Sequence, residues 1–367
     1  MWKPRINCAV AASRDEFCIA LTELEYDDPF SAIISYDGRL QQPWGRTDVQ
    51  REINSVCVTA DHHSGKPAQY AALSNEGDVY FLGTKTTREK IPGAGIQSPD
   101  AKGLGATFDI AMVNGNLWVT GANRQLYERQ GTNDWARIPL TSPSVPDSAD
   151  GDTVDLSAIL ELGQGEALIL GISRSAGRPS AVDTDENLRT SDNWDDWLSA
   201  IESDSKKVPE PAGVLFHHKE SKWLDVEIPN TKIPTDIYKS STNDIWIVGY
   251  EGSILRGSLT TGFSEIAFHG DRDKNLLSIT EFGDRMVIAS DYALHWFDGH
   301  LLTPLKPKID QFVNRNVPTP LKVQAVGDLL FYFDYKHGVH RFDGENWEQI
   351  VIPPELLERD FKGLLQG

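Results

Sequence analysis

The sequence predicts an all-β chain: one ring of seven four-stranded antiparallel sheets, with a partly helical insertion in the fourth. Three observations predict it. A two-turn hairpin pattern at residues 243–257, NDIWIVGYEGSILRG, recurs along the chain. The recurring units begin near Ile6, Ile53, Ala106, Leu156, Ile233, Leu276 and Leu321, most of them about 40–50 residues apart, the period of a repeated four-stranded sheet. Outside the insertion, nothing sustains the 3.6-residue period of a helix.

Each unit follows one plan: an apolar strand, a turn, an aromatic-rich strand, a second turn, a third strand, then a polar edge strand ending in Ile or Leu. In NLWVTGANRQLYERQGTNDWARIPL, placing Trp118 on Trp246 puts Gly121 on Gly249, Trp135 on Phe263 and Ile138 on Ile266. DLLFYFDYKHGVHRFDGENWEQIVIP repeats the plan, with Asp343-Gly344 just before Trp347 and Ile350 closing the unit. Asp298-Gly299 and Asp37-Gly38 mark comparable turns, and Asp-Gly between alternating runs predicts tight type I′ hairpins. A four-stranded sheet cannot cover both of its apolar faces alone. Packed radially in a β-propeller, each buries them against two neighbours and leaves only short edges. Trp118, Trp135, Trp223, Trp246, Phe263, Trp296 and Trp347 are then wedges between blades. A carbohydrate-binding platform is the alternative use for such aromatics.

The whole chain, 1–367, is thus expected to be one propeller domain, with an acidic insertion at 173–211 inside the fourth blade. The insertion carries Asp183, Asp185, Glu186, Asp192, Asp195, Asp196, Glu202 and Asp204 against the single base Arg189 over residues 183–204. Ser191 or Asp192 caps an expected helix over 193–202, with Asp195 and Asp196 in its first turn, where the helix dipole favours them. Trp194, Trp197, Leu198 and Ile201 then share one stripe. This stripe either lies on the propeller surface or forms an aromatic anchor ringed by acids, suited to a basic protein surface. The tail, 354–367, either forms a short helix over 355–361 or adds a strand from 361–365 to the first blade and so closes the ring.

The hairpin DIWIVGYEGSILR and the turn FDGENW are similar to bacterial propeller repeats of the form D-[IV]-W-x-V-G-x-x-G-x-[IL]-x-R…D-G-x-x-W. On these residues the chain resembles the seven-bladed β-propeller superfamily over nearly its whole length, the third, fifth and seventh units carrying the pattern best. It lacks the Gly-His…Trp-Asp marks of WD40 repeats and the sialidase-type turn, of which Ser74–Phe81 is a faint echo. Such propellers host lyases, hydrolases, lectins and scaffolds, so function has to come from a site.

The net charge is −19, with 54 acidic against 35 basic residues. That balance disfavours nucleic acid and anionic membrane surfaces and suits a basic protein partner; solubility is the plainer use of the charge. Cys8, Cys18 and Cys57 are odd in number, form no CxxC and lie in strand-like runs, so reduced thiols in a cytoplasmic protein are expected, a Cys8–Cys18 bridge being the alternative. The opening MWKPRINCAVAAS is too weakly apolar for a signal peptide or a spanning helix.

Neither His62-His63 nor His217-His218 has companion ligands at metal spacing; adjacent residues on a strand point to opposite faces, whereas in a loop, as around His62, both could reach one metal. His337 and His340, near Arg341 and Asp343, hold acid–base groups but sit in an ordinary hairpin. No nucleophile elbow, phosphate loop or dinucleotide fingerprint occurs, and Gly103-Leu104-Gly105 is too short for a phosphate cradle. No cofactor and no metal are expected.

An acidic propeller of this bacterial type, without catalytic motif, is similar to immunity-type inhibitors of secreted toxin domains. The expectation is therefore a non-enzymatic, monomeric protein-binding propeller that neutralises a basic toxin domain. Its contacts would be Asp183, Asp185, Glu186, Asp192, Trp194, Asp195, Asp196, Trp197, Glu202 and Asp204. The alternatives are a lyase or hydrolase with a channel-mouth active site, or a lectin-like or scaffold module.

Overall fold

A computed structural model describes residues 4–23, 29–60, 67–83, 85–140, 153–174, 211–229, 233–269, 274–307 and 319–358. They form seven four-stranded antiparallel sheets, each a meander of consecutive strands. The innermost strands are Arg5–Ser13, Ile53–Ala60, Thr107–Val113, Thr153–Gly163, Pro234–Lys239, Leu276–Phe282 and Pro320–Val326. Each contacts the next and the last contacts the first, so the sheets close into a ring. The chain is a seven-bladed β-propeller, and every blade starts within three residues of the position expected from the repeats.

The cores lie between blades. Seven apolar clusters occupy the seven blade–blade interfaces, each drawing side chains from two adjacent sheets. Trp118 and Trp223 fill the wedge between blades 3 and 4, Trp135 that between 2 and 3, and Trp246 that between 5 and 6. Phe263 packs between blades 4 and 5, and Trp296 and Trp347 between 6 and 7. Arginines extend two of these rings outward: the Arg285 guanidinium lies 3.9 Å from the Trp296 ring centre and Arg256 5.0 Å from that of Trp246.

The innermost strands share a feature that the repeat pattern does not display. All seven carry a β-bulge near their start, directly after a buried residue, at Asn7, Asn54, Phe108, Ser157, Thr235, Leu277 and Leu321. A bulge re-aims side chains and sharpens twist. Here it sets polar groups against the neighbouring blade: Asn7 Nδ2 donates to Ile53 O at 2.6 Å, Asn54 Nδ2 to Thr107 O at 2.8 Å, and Thr235 Oγ1 to Leu276 O at 2.6 Å. An innermost strand is a sheet edge facing a channel, and these bonds satisfy part of that edge from the next blade.

Among the described residues, blade 1 is complete with four strands of its own, from Arg5 to Val49. Blade 7 meets it through packing and through a reciprocal pair: Ala11 N donates to Gln324 Oε1, and Gln324 Nε2 donates to Ala11 O, both at 2.9 Å. The expected closing strand at 361–365 lies outside the described residues, whereas Pro354–Leu357 forms one 3-10 turn.

The type I′ expectation for the Asp-Gly turns is corrected. Asp37, Asp298 and Asp343 do not have positive φ, as such turns require. Each instead accepts backbone N–H groups ahead of it: Asp343 Oδ1 from Glu345 and Asn346 at 2.9 and 2.6 Å, and Asp298 Oδ1 from His300 and Leu301 at 2.9 and 2.8 Å. The aspartate caps the turn through its side chain, and only the glycines at 299 and 344 take positive φ. All three cysteines are free thiols, and Cys8 lies opposite Ala20 rather than Cys18. No α-helix occurs among the described residues, and the helix expected over 193–202 lies outside them.

Candidate partner-binding face

Because every blade is a four-strand meander, its second-to-third turn lies at the same end as the entry of the next blade's innermost strand. Hydrogen bonds tie the two together: Arg124 N, in the blade 3 turn, donates to Val154 O at 2.7 Å, and Gly252 N, in the blade 5 turn, to Lys274 O at 2.7 Å. One face of the ring is therefore a collar of these turns around the channel mouth. In blade 4 the second strand ends at Arg174 and the third begins at Ala212. The chain thus leaves for the acidic insertion, and returns from it, on this face. The ten expected contact residues, Asp183, Asp185, Glu186, Asp192, Trp194, Asp195, Asp196, Trp197, Glu202 and Asp204, lie outside the described residues.

The neighbouring turns are well fixed. In blade 5, Tyr250 N donates to Ile233 O at 3.0 Å and Glu251 N to Asn275 Oδ1 at 3.4 Å. In blade 6, Asp291 N donates to Asn275 O at 3.1 Å, while Asn275 N donates to Asp291 Oδ2 at 3.2 Å. Asn275 therefore latches the two turns together. These turns expose Tyr250, at 37 %, and Tyr292, at 64 %. Across the collar, the buried Glu76 carboxylate takes N–H groups from Ile96, Gln97 and Ser98 at 2.9–3.1 Å and organises the loop into blade 3. Gly95 is required there: a Cβ would lie 2.5 Å from Glu76 O.

The channel encloses about 560 Å³. Asp109 and Asp236 line it and brace its wall. Asp109 accepts from Ser55 Oγ at 2.7 Å and Ile159 N at 3.0 Å, and Asp236 accepts from Ser278 Oγ at 2.8 Å and Ile279 N at 2.9 Å. Enclosure by the ring deprives both carboxylates of hydration and raises their pKa values, although the Lys322 charge opposes the rise. Sequence reasoning missed this trio, because 127 and 86 residues separate its members and nothing local marks them. All the Asp109 and Asp236 oxygens serve backbone or hydroxyl donors, in adjacent strands except for Asp236 Oδ1, which accepts from Ile237 N of its own strand; this is a structural use.

The described histidines flagged by sequence are likewise absorbed. His337 pairs with Asp334, at 2.7 Å, rather than with Asp343. Asp334 also accepts from Thr319, Lys336 and Tyr332, so it organises the turn it sits beside. Arg341 binds Glu348 at 2.7 Å. His217 meets Glu166 at 3.0 Å, while His218 turns the other way and packs on Trp118 and Trp223, as adjacent strand residues must. His62 and His63 lie outside the described residues. No group of three or more metal-ligating side chains is assembled among the described residues.

A closed ring of seven blades, with one face collared by hydrogen-bonded turns, defines the chain as a seven-bladed β-propeller. No family model matches the chain. It is similar to a curated protein, the immune protein Tsi7 of Pseudomonas aeruginosa: 23% identity over 300 residues, covering 80% of this chain and 79% of the relative. Among solved structures it is similar to the Dos1 propeller, with TM-score 0.56 and 11% identity over 95% of this chain and 84% of that one. YCF48 from Cyanidioschyzon merolae gives TM-score 0.55 and 10% identity over 92% and 94%. These structural likenesses bear on the fold alone. No helix among the described residues is long and apolar enough to cross a membrane.

Proposed function

We propose that this protein is a non-enzymatic immunity-type inhibitor, which binds a basic toxin domain and neutralises it by occluding its active site. The observation that carries the reading is the similarity to immune protein Tsi7, which extends over about four fifths of both chains and so spans most of the ring rather than one repeat. The net charge of −19 supports a basic partner, since complementary charge raises encounter rates and disfavours wrong partners. The acidic segment bearing Asp183, Asp185, Glu186, Asp192, Trp194, Asp195, Asp196, Trp197, Glu202 and Asp204 is the proposed contact, entering from the collar face. The protein works as a monomer in the cytoplasm, where its three free thiols stay reduced.

The experiment is co-expression with the products of neighbouring genes, followed by affinity purification at low salt and a growth assay. A stable complex with a basic domain, and rescue of growth by the intact protein, are the expected results. No complex at low salt ends the reading. Binding unchanged after deletion of residues 180–206 removes the acidic segment from it.

A further inference from the structure

We infer that the latched turns of blades 5 and 6 form a second, preorganised part of the partner-binding surface, with Tyr250 and Tyr292 as aromatic seats for lysine or arginine side chains of a basic protein. The inference deepens the inhibitor reading and rests on it.

Three observations converge. The first is place. Tyr250 and Tyr292 occupy second-to-third turns of adjacent blades, on the face from which blade 4 sends out and receives the acidic segment. Leu40, Leu259 and Leu301 are also large, apolar and exposed, but they lie in or beside third-to-fourth turns at the opposite end of the blades.

The second is rigidity. The Asn275 backbone and side-chain groups bond to both turns, and Gly252 N is held by Lys274 O. Glu251 adopts φ 54° and Gly252 φ 68°, which confines the blade 5 turn to a tight left-handed path. A backbone held in this way needs little further ordering when a partner binds.

The third is chemistry. An aromatic face attracts a cation, and tyrosine combines broad contact area with few rotatable bonds. Glu251 and Asp291 are the chain neighbours of Tyr250 and Tyr292, so each of these turns carries an acidic residue next to its tyrosine. A protein of net charge −19 that exposes tyrosines beside carboxylates is complementary to a basic surface and poorly matched to an acidic or purely apolar one.

The test uses the full chain and, as probe, the domain recovered with it in the co-expression experiment above, purified in an inactivated form. Dissociation constants are measured by calorimetry at low and moderate salt for wild type, Tyr250→Ala, Tyr292→Ala, the double variant, Tyr292→Phe and Leu40→Ala. Each tyrosine-to-alanine change is expected to weaken binding about tenfold, more than most interface residues and less than a hot spot. Tyr292→Phe keeps the ring face and is expected to stay within about threefold of wild type, and Leu40→Ala to match it. Unchanged melting temperatures establish that the variants fold. Wild-type binding with no loss in the double variant overturns the tyrosine seats and leaves the inhibitor reading standing. Failure of the wild type to bind the probe overturns both. Loss in the tyrosine variants but not on deletion of 180–206 supports the seats and transfers the contact away from the acidic segment.

Discussion

The ring is expected to be most sensitive where its two ends meet, and Gln324→Ala tests this. Gln324 of blade 7 exchanges two hydrogen bonds with the Ala11 backbone of blade 1, both at 2.9 Å, and Ala11 is only 3 % exposed. Truncation removes both bonds and strands a buried N–H and a buried C=O. At about 1–2 kcal/mol for each unsatisfied group, the expected loss is about 3 kcal/mol. The related contact one blade earlier is a single bond, Ala325 N to Thr280 Oγ1 at 3.1 Å, so Thr280→Val should cost about 1 kcal/mol. Urea unfolding gives the magnitudes. Amide exchange gives the location: in Gln324→Ala, protection should fall first in residues 5–13 and 320–326. Gln324→Glu retains an acceptor for Ala11 N–H but offers Ala11 O no donor, and should lose at least as much as the alanine variant. A loss under about 1 kcal/mol for Gln324→Ala, or exchange that quickens equally in all blades, would refute the reasoning that this pair is a substantial part of a seam also held by Ile6 N–Tyr335 O, by Arg341–Arg14 O and by apolar packing.

Two further outcomes are expected. Burial depresses the His295 and His340 pKa values to about 4, the Lys274 charge adding to the effect at His295 and Asp334 opposing it at His340. The unfolded chain takes up these protons near pH 6.5, so stability present above that pH is lost as pH falls towards 4, by up to about 3 kcal/mol per histidine. His295→Gln should flatten a plot of unfolding free energy against pH across this window, and an unchanged slope would count against the assignment. Separately, the Glu89 carboxylate, 4 % exposed, joins blade 2 to blade 3 through Arg129 at 2.6 and 2.9 Å and Trp135 Nε1 at 3.0 Å. Burial pushes its pKa up, yet the Arg129 hydrogen bond and charge hold it below the ordinary value. Glu89→Ala should cost about 3 kcal/mol, less than a wholly buried pair because Arg129 keeps some solvent. A double-mutant cycle with Arg129→Ala should show coupling above about 1 kcal/mol, and additivity would contradict the bridge.

The parts of this molecule that were legible in its sequence are those encoded locally. Blade starts at Ile53 and Leu276, and wedge aromatics such as Trp118 and Trp246, follow from alternation and a repeated spacing, because strand pairing within a blade is between neighbours in sequence. Features made between blades were not legible. The seven inner bulges involve residues as different as Asn7, Phe108 and Leu321, since the bulge is set by backbone twist at the ring centre and not by a side-chain type. The turn chemistry was misjudged at Asp343-Gly344, where a side-chain cap replaces a second residue of positive φ. On the collar, Tyr250 stood in the quoted hairpin, but its exposure depends on how its turn meets the entry to blade 6, through Asn275, 25 residues away. The aromatic and acidic contacts proposed at 183–204 were suggested by charge composition and by the helical spacing of Trp194, Trp197, Leu198 and Ile201.

The seven separate wedges have a consequence for how such a protein diversifies. Each turn on the collar stands on its own pair of sheets, so a change at Tyr292 disturbs at most the seams on either side of blade 6 and leaves the packing around blade 2 untouched. A lineage pressed to recognise an altered opponent can thus rewrite one sector of the rim at a time, with the rest of the wheel holding its shape.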